Sequence, residues 1–278
     1  MVAAQGLHLR VVWRNQVVVS KIVNLFKRLA RSGDIRFSFG LGKPGEGHTL
    51  RWKNHRVTYR SKSSDLAQIE RLLLLGERCE YNLPKNINPR YILDAGSNIG
   101  LAALFFSEYF PNAKIICCEP ASDNFELLRL NTDHLPNVAI LRCGLGKRNT
   151  MGRVVKKRER NYANLRVIED DAGDTPIYNY SGLLKASGMA SFDLIKIDIE
   201  GNEYDFMSSV TDSDLAECKW IVGEVHSTNE WLLLNLLSKH FAIDIRKTMG
   251  KRASKFHGCN LARQESFLKN FDVSILQK

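Results

Sequence analysis

The segment Tyr91-Ile92-Leu93-Asp94-Ala95-Gly96-Ser97-Asn98-Ile99-Gly100 constrains this chain more than any other. Its first three residues suit a strand, two glycines mark a turn, and Leu101, Leu104 and Phe105 then fall at helical spacing. A strand that runs through a glycine turn into a helix is where an open α/β sheet binds a nucleotide-type ligand. The loop reads Gly96-x-x-x-Gly100 and lacks the middle glycine that lets backbone approach a pyrophosphate, which disfavours a dinucleotide. Asp94 is expected at the loop mouth, where its carboxylate would repel a diphosphate and attract a cation. Glu119 follows about 20 residues after the loop, where an acidic side chain accepts hydrogen bonds from ribose hydroxyls. Together these favour S-adenosylmethionine, which carries an ammonium and a sulfonium, over NAD. The turn alone would also fit a ligand-free helix start capped by aspartate; Glu119-Pro120 and the later motifs weigh against that.

Alternating units surround this element. A strand at 91–94 leads to a helix at about 99–109, a strand at 114–119 to a helix at 122–133, and a third strand spans 138–142. Residues 150–171 read as an exposed antiparallel excursion, with Lys156-Lys157-Arg158-Glu159-Arg160 as a solvated turn. The second half opens with Phe192-Asp193-Leu194-Ile195-Lys196-Ile197-Asp198-Ile199-Glu200-Gly201-Asn202-Glu203, a buried strand followed by a helix. Alternation along a strand puts Lys196, Asp198 and Glu200 on one face, where three ionisable groups demand partners. A strand at 220–225 ends in Glu224-Val225-His226, with both polar residues on one side. A helix at about 229–240, a strand at 241–246, a basic loop at 247–255 and a last strand near 259–263 complete the pattern.

Ahead of the core, residues 1–33 contain no acidic side chain, and from Val19 the apolar Ile22, Val23, Phe26, Leu29 and Ala30 oppose Lys21, Asn24, Arg28 and Arg31. This basic amphipathic helix suits an anionic membrane surface, an organellar address, or packing on its own domain. Glycine-rich turns and alternating segments between 34 and 60 predict a hairpin, and Ser64-Asp65 predicts a helix cap. The expected division is a basic segment at 1–33, an N-terminal cap at 34–90, a catalytic domain at 91–264 and a tail at 265–278. The net charge of +10, from 40 basic and 30 acidic residues, favours an anionic partner: an acidic glycan, a lipid surface or RNA. Six cysteines without C-x-x-C spacing suggest buried thiols in a reducing, cytoplasmic setting, and none is assigned to chemistry. No apolar run approaches the ~18 residues of a membrane-spanning helix.

On these motifs the chain resembles the FkbM family of S-adenosylmethionine-dependent O-methyltransferases. The resemblance rests on Asp94 to Gly100, Glu119-Pro120, Leu127, Leu128 and Asn131, Gly144-Leu145-Gly146, Lys196 to Glu203, and Glu224-Val225-His226. It implies a Rossmann-like class I methyltransferase sheet, α/β and mostly parallel with an antiparallel last strand, here preceded by the hairpin and helix cap. It also implies methyl transfer to a hydroxyl of a glycan or small metabolite. Two departures stand out: Ile177-Tyr178-Asn179-Tyr180-Ser181 lacks the acidic element common in the family, and the first 60 residues match no known pattern.

Cofactor contacts are expected from Asp94, Gly96, Ser97, Asn98, Gly100, Glu119, Pro120, Gly144 and Asp198. His226, expected as a near-neutral imidazole, is the first candidate for the base that takes the hydroxyl proton, with Asp198 and Glu200 beside it. A divalent metal is not expected; if one is used, Asp198, Glu200, Glu224 and His226 would hold it, against the simpler reading of an ion-pair network neutralised by Lys196. The rival functions are RNA methylation and a non-catalytic S-adenosylmethionine or glycan-binding module. Against the first, the fourth strand lacks an Asn/Asp-Pro-Pro-aromatic end able to grip a flipped base. The acceptor's identity and the oligomeric state are not legible.

Overall fold

The computed structural model describes residues 23–75, 81, 83, 87–156, 165–226, 230–247 and 253–261. A helix over residues 23–32 (α1) and a short helix Ile35–Phe39 (α2) precede a hairpin of β1 (Gly47–Trp52) and β2 (His55–Arg60). Helix α3 (Asp65–Ile69) then widens into a π turn over Glu70–Leu74. The sequence from β3 (Tyr91–Ala95) through α4 (Leu101–Tyr109), β4 (Lys114–Cys118) and α5 (Ser122–Thr132) to β5 (Val138–Leu141) forms the first half of the core. Four strands follow, β6 (Gly144–Leu145), β7 (Thr150–Lys156), β8 (Leu165–Glu169) and β9 (Thr175–Tyr178). The second half runs through α6 (Tyr180–Ser187), β10 (Leu194–Ile197), α7 (Glu203–Met207), α8 (Asp212–Glu217), β11 (Trp220–Val225), α9 (Glu230–Leu237), β12 (Phe241–Lys247) and β13 (Ser254–Asn260).

Seven strands make the central sheet in the order β12-β13-β11-β10-β3-β4-β5. Strands β5, β4, β3, β10 and β11 are parallel, and β13 runs antiparallel between β11 and β12. This is the Rossmann-like class I methyltransferase sheet that the motifs implied. Its central strands are apolar on both faces because both are covered. Ile92, Ile115 and Leu194 join one core, while Leu93, Ile116, Ile195 and Ile197 join the other.

The hairpin cap belongs to the first of these cores, with Trp52, Val57, Tyr59, Leu66 and Ile69 packed among Leu104, Phe106 and Leu128. Asn131 on α5 ties it down by accepting from the Thr58 amide (2.6 Å) and donating to the carbonyls of Thr58 (3.0 Å) and Ile99 (2.7 Å). The expected Ser64 cap is corrected: its side chain makes no capping bond. Asp65 instead turns back to the Arg60 guanidinium at 2.8 and 3.0 Å, a buried bidentate pair that also engages Asn124 through Arg60.

The last strand begins earlier than expected, at Ser254, because it must pair along Trp220–Val225 on one side and Phe241–Lys247 on the other. The excursion is antiparallel as expected, but it belongs to a second sheet, β6-β9-β7-β8, that buries Leu165 and Val167. Residues 157–160 of its charged run, Cys79, and the tail beyond residue 261 lie outside the described residues. Cys117, Cys118, Cys143 and Cys218 are free and buried, and Cys259 is buried. Where the family's acidic element is missing, Asn179 caps α6 by accepting from the Gly182 amide at 2.9 Å.

Candidate active site

After β3 the chain moves outward to β4 and β5; after the second sheet it returns on the other side of β3 as β10 and β11. The crevice at this reversal lies past the carboxyl ends of β3 and β10, the place where open α/β sheets bind ligands. Gly96 occupies it with φ +80°, and a Cβ there would overlap the Asp198 carbonyl oxygen. Only glycine lets the two strand ends come this close.

Lys196 on β10 fastens the turn from beneath. Its Nζ donates to the carbonyls of Gly96 (2.7 Å) and Ala95 (3.2 Å) and lies 3.0 Å from Asp94 Oδ1, an ion pair off the angle of a hydrogen bond. Burial alone would lower the Lys196 pKa; the Asp94 and Asp198 charges outweigh it and hold the ammonium above its ordinary value. This corrects the reading of Asp94. It shares the face of Ile92, so its carboxylate is fully buried below the turn and neutralised by Lys196, not displayed at the mouth.

A cavity of about 660 Å³ opens above the turn. Gly96, Ser97, Asn98, Glu119, Pro120, Gly144, Lys196, Asp198, Glu200, Glu224 and His226 line it; Asp94 and Gly100 do not. Gly100 (φ +86°) serves packing, since a Cβ there would stand 2.9 Å from Leu128 Cδ1 on α5. Its expected cofactor role is therefore corrected.

At one end of the cavity Glu119 accepts from the amides of Asn98 and Ala121, both at 2.9 Å, and burial outweighs these bonds to push its carboxyl up to about 7. Asn98, held at φ +50°, donates its Nδ2 to Gln68 Oε1 at 3.0 Å, while its buried Oδ1 has no hydrogen-bond partner among the described residues. A buried acceptor without a donor, beside a carboxylate with lone pairs to spare, suits a ligand rich in hydroxyl and amine donors.

At the other end four carboxylates surround one imidazole. His226 Nδ1 lies 2.9 Å from Glu203 Oε1 and 3.8 Å from Asp198 Oδ1; its Nε2 lies 3.5 Å from Glu224 Oε2 and 3.9 Å from Glu200 Oε1. Glu203 Oε1 also accepts from the amides of Ile199 (3.2 Å) and Gly201 (3.1 Å), which fixes the turn after β10. In that turn Glu200 takes φ +57° and Gly201 φ +111°, a conformation disfavoured for glutamate. Burial would lower the His226 pKa, but the bonds to Glu203 and Glu224 and the Asp198 charge overcome it and raise it to about 11. The expected near-neutral imidazole is thus corrected: these contacts favour the protonated form of the His226 ring at neutral pH. Burial raises the Asp198 pKa against the pull of Lys196.

Asp198, Glu224 and His226 also offer ligand atoms within 4.8 Å of one another. An imidazolium ligates no metal, so an ion would first have to displace the proton that these carboxylates hold on His226.

Several lining residues were not anticipated. Gln68, Arg71, Leu72 and Tyr81 come from the cap, whose contact with the crevice depends on tertiary packing that no local motif announces. Glu203 does not line the cavity but holds His226 from behind; it could have been found, because it closes the Lys196 to Glu203 motif at the start of a helix.

A profile of the methyltransferase FkbM domain matches residues 94–256. The chain belongs to the FkbM methyltransferase family. The FkbM match runs from Asp94 to Phe256 in β13, so it takes in the glycine turn, Glu119, the Lys196 motif and His226, and leaves the cap outside. Among curated relatives, methyltransferase sdnD of Sordaria araneosa is 29% identical over 164 residues, 46% of this chain and 62% of that protein. Hexuronic acid methyltransferase AglP of Haloferax volcanii is 28% identical over 137 residues, 48% of this chain and 55% of that protein. The chain therefore covers less than two thirds of these relatives' own length. The solved structure of TrmN from Thermus thermophilus aligns with a TM-score of 0.43 at 14% identity, over 74% of this chain and 55% of that one, too loosely to bear on function.

Proposed function

We propose that this FkbM-family protein transfers a methyl group from S-adenosylmethionine to an oxygen of a glycan or small metabolite that carries a negative charge. The observation that carries this reading is the two-ended cavity: a buried carboxylate and an orphan amide oxygen at Glu119 and Asn98, and a cluster of acids around His226 at the other end. The residues fit the cofactor. Glu119 and Asn98 would accept from its hydroxyl and amine groups, Ser97 and Gly144 line the cavity beside them, and Asp198 would supply negative charge for its cationic end.

S-adenosylmethionine supplies an electrophilic methyl group on a sulfonium. The protein's part is to align the acceptor oxygen, exclude water and remove a proton. Asp198, whose burial makes it more basic than an ordinary aspartate, is assigned that proton; Glu200 orients the acceptor hydroxyl. His226 works as a fixed positive charge that lets Asp198, Glu200, Glu203 and Glu224 share one small volume.

Arg246 and Lys255, cross-strand partners on β12 and β13, also line the cavity, Arg246 beside Asp244 (3.2 Å) and Lys255 beside Glu224 (3.7 Å), and would add positive charge on the side an acidic acceptor approaches. The hexuronic acid named for one relative is an acceptor of that kind. The test is transfer of labelled methyl from S-adenosylmethionine to a panel of uronic-acid glycans, neutral glycans and RNA, read by mass spectrometry. Methylated acidic glycan or metabolite supports the proposal, and methylated RNA alone refutes it.

A further inference from the structure

The positive charge of this chain is concentrated at one end. Residues 1–45 hold eight Lys and Arg against Asp34 alone, so seven of the ten net positive charges lie there and the rest of the chain is nearly balanced. The same stretch exposes large apolar side chains: Val23 (43%), Phe26 (62%), Ile35 (63%), Phe39 (47%) and Leu41 (50%).

The attachment of α1 explains the exposure. Val23, Phe26 and Ala30 fall on one stripe of the helix, flanked by Lys27, and Arg28 lies on the opposite side. The side that carries Leu25, Arg28 and Leu29 meets the body. Arg28 Nε and Nη2 donate to Glu70 Oε2 at 3.0 and 2.7 Å, its guanidinium stands 5.8 Å from the Phe37 ring centroid, and Arg31 Nη1 approaches Glu70 Oε1 at 3.8 Å. Leu25 and Leu29 are half-buried there together with Arg28, while a second apolar stripe of Val23, Phe26 and Ala30 stays exposed.

An RNA would use the charge but not the stripe. A second copy would use the stripe but set like charges face to face. An anionic bilayer surface uses both, with the apolar side chains in the headgroup boundary and the basic ones at the phosphates. We propose that α1 and α2 dock this protein on an anionic membrane surface, lying in its plane. No described helix is long and apolar enough to cross a membrane. The inference rests on the helix and its charge, and is independent of the acceptor reading.

The test is co-sedimentation of the full chain with phosphatidylcholine vesicles, with and without phosphatidylglycerol. Binding is expected only to the anionic vesicles, weakening as salt rises. Phe26→Asp should lower partitioning about tenfold and leave the thermal unfolding midpoint unchanged, and the pair Lys27→Glu, Arg36→Glu should remove the preference for anionic lipid. Three results would overturn the proposal: no binding or equal binding to neutral vesicles; a lower midpoint in Phe26→Asp, which would mean the chain covers its own stripe; or loss of self-association in that variant with vesicle binding intact.

Discussion

His226 Nδ1 stands 2.9 Å from Glu203 Oε1, and Glu203 is held in place by the amides of Ile199 and Gly201. That bond sets the charge of the whole acidic end of the cavity. The sequence nominates His226 by type, as the one imidazole at the end of a core strand; the four carboxylates that close around it from two strand ends and a helix start favour its protonated form.

The pH dependence should reflect this. A histidine raised from 6.5 to about 11 adds stability that is fully present below pH 6.5 and is lost as pH rises through 11. The kcat/KM profile of the wild type should therefore have no limb near 6.5 from this residue. Glu203→Gln removes the strongest partner, so His226 should titrate nearer neutrality and introduce such a limb. Imidazole chemical shifts followed by NMR against pH give the same answer without turnover.

Metal removal follows from the same proton. Because the protonated form of His226 is favoured, turnover should survive EDTA and exhaustive dialysis. Activity restored only by added magnesium or manganese would reverse the order of proton and ion at this site.

The Asp94–Lys196 pair is buried beneath the glycine turn. Lys196→Met leaves Asp94 uncompensated and should cost about 3–5 kcal/mol in urea unfolding. The double variant with Asp94→Asn should recover much of that loss. Since the Lys196 pKa is raised, its contribution holds below pH 10.5 and fades above it.

Glu119 behaves in the opposite sense to an ordinary paired carboxylate. With its pKa raised from 4.5 to about 7, its protonated form stabilises the free protein below pH 4.5, and that stability is lost as pH rises through 7. Affinity for a cofactor that donates to the ionised form should rise over the same interval. Glu119→Gln should weaken cofactor binding by about 1.5–3 kcal/mol, measured by calorimetry above pH 7.

Much of the fold was legible because the core strands are continuous apolar runs bounded by glycine turns, and Leu93, Ile116 and Ile195 carry that pattern plainly. Asp198, Glu200, Glu224 and His226 do meet at one cavity, but strand alternation does not place the first two: β10 ends at Ile197, and Asp198 and Glu200 lie in the turn after it, with Glu200 at φ +57°. Burial depth was not legible. Asp94 and Gly100 both belong to the motif, yet one pairs with Lys196 and the other with Leu128, contacts more than 25 residues away in sequence. The cap residues Gln68 and Arg71 reach the site only because Trp52, Ile69 and Leu104 share one core.

The central claim is that the crevice between Gly96 and Asp198 holds an adenosyl thioether compound. Titration calorimetry of the purified chain with S-adenosylmethionine, S-adenosylhomocysteine and NAD tests it directly, with Gly96→Ala, confirmed folded by circular dichroism, as the control. The expected result is saturable binding of both adenosyl compounds, no binding of NAD, and loss of the signal in the variant. Tight uptake of NAD with none of either adenosyl compound would contradict the assignment.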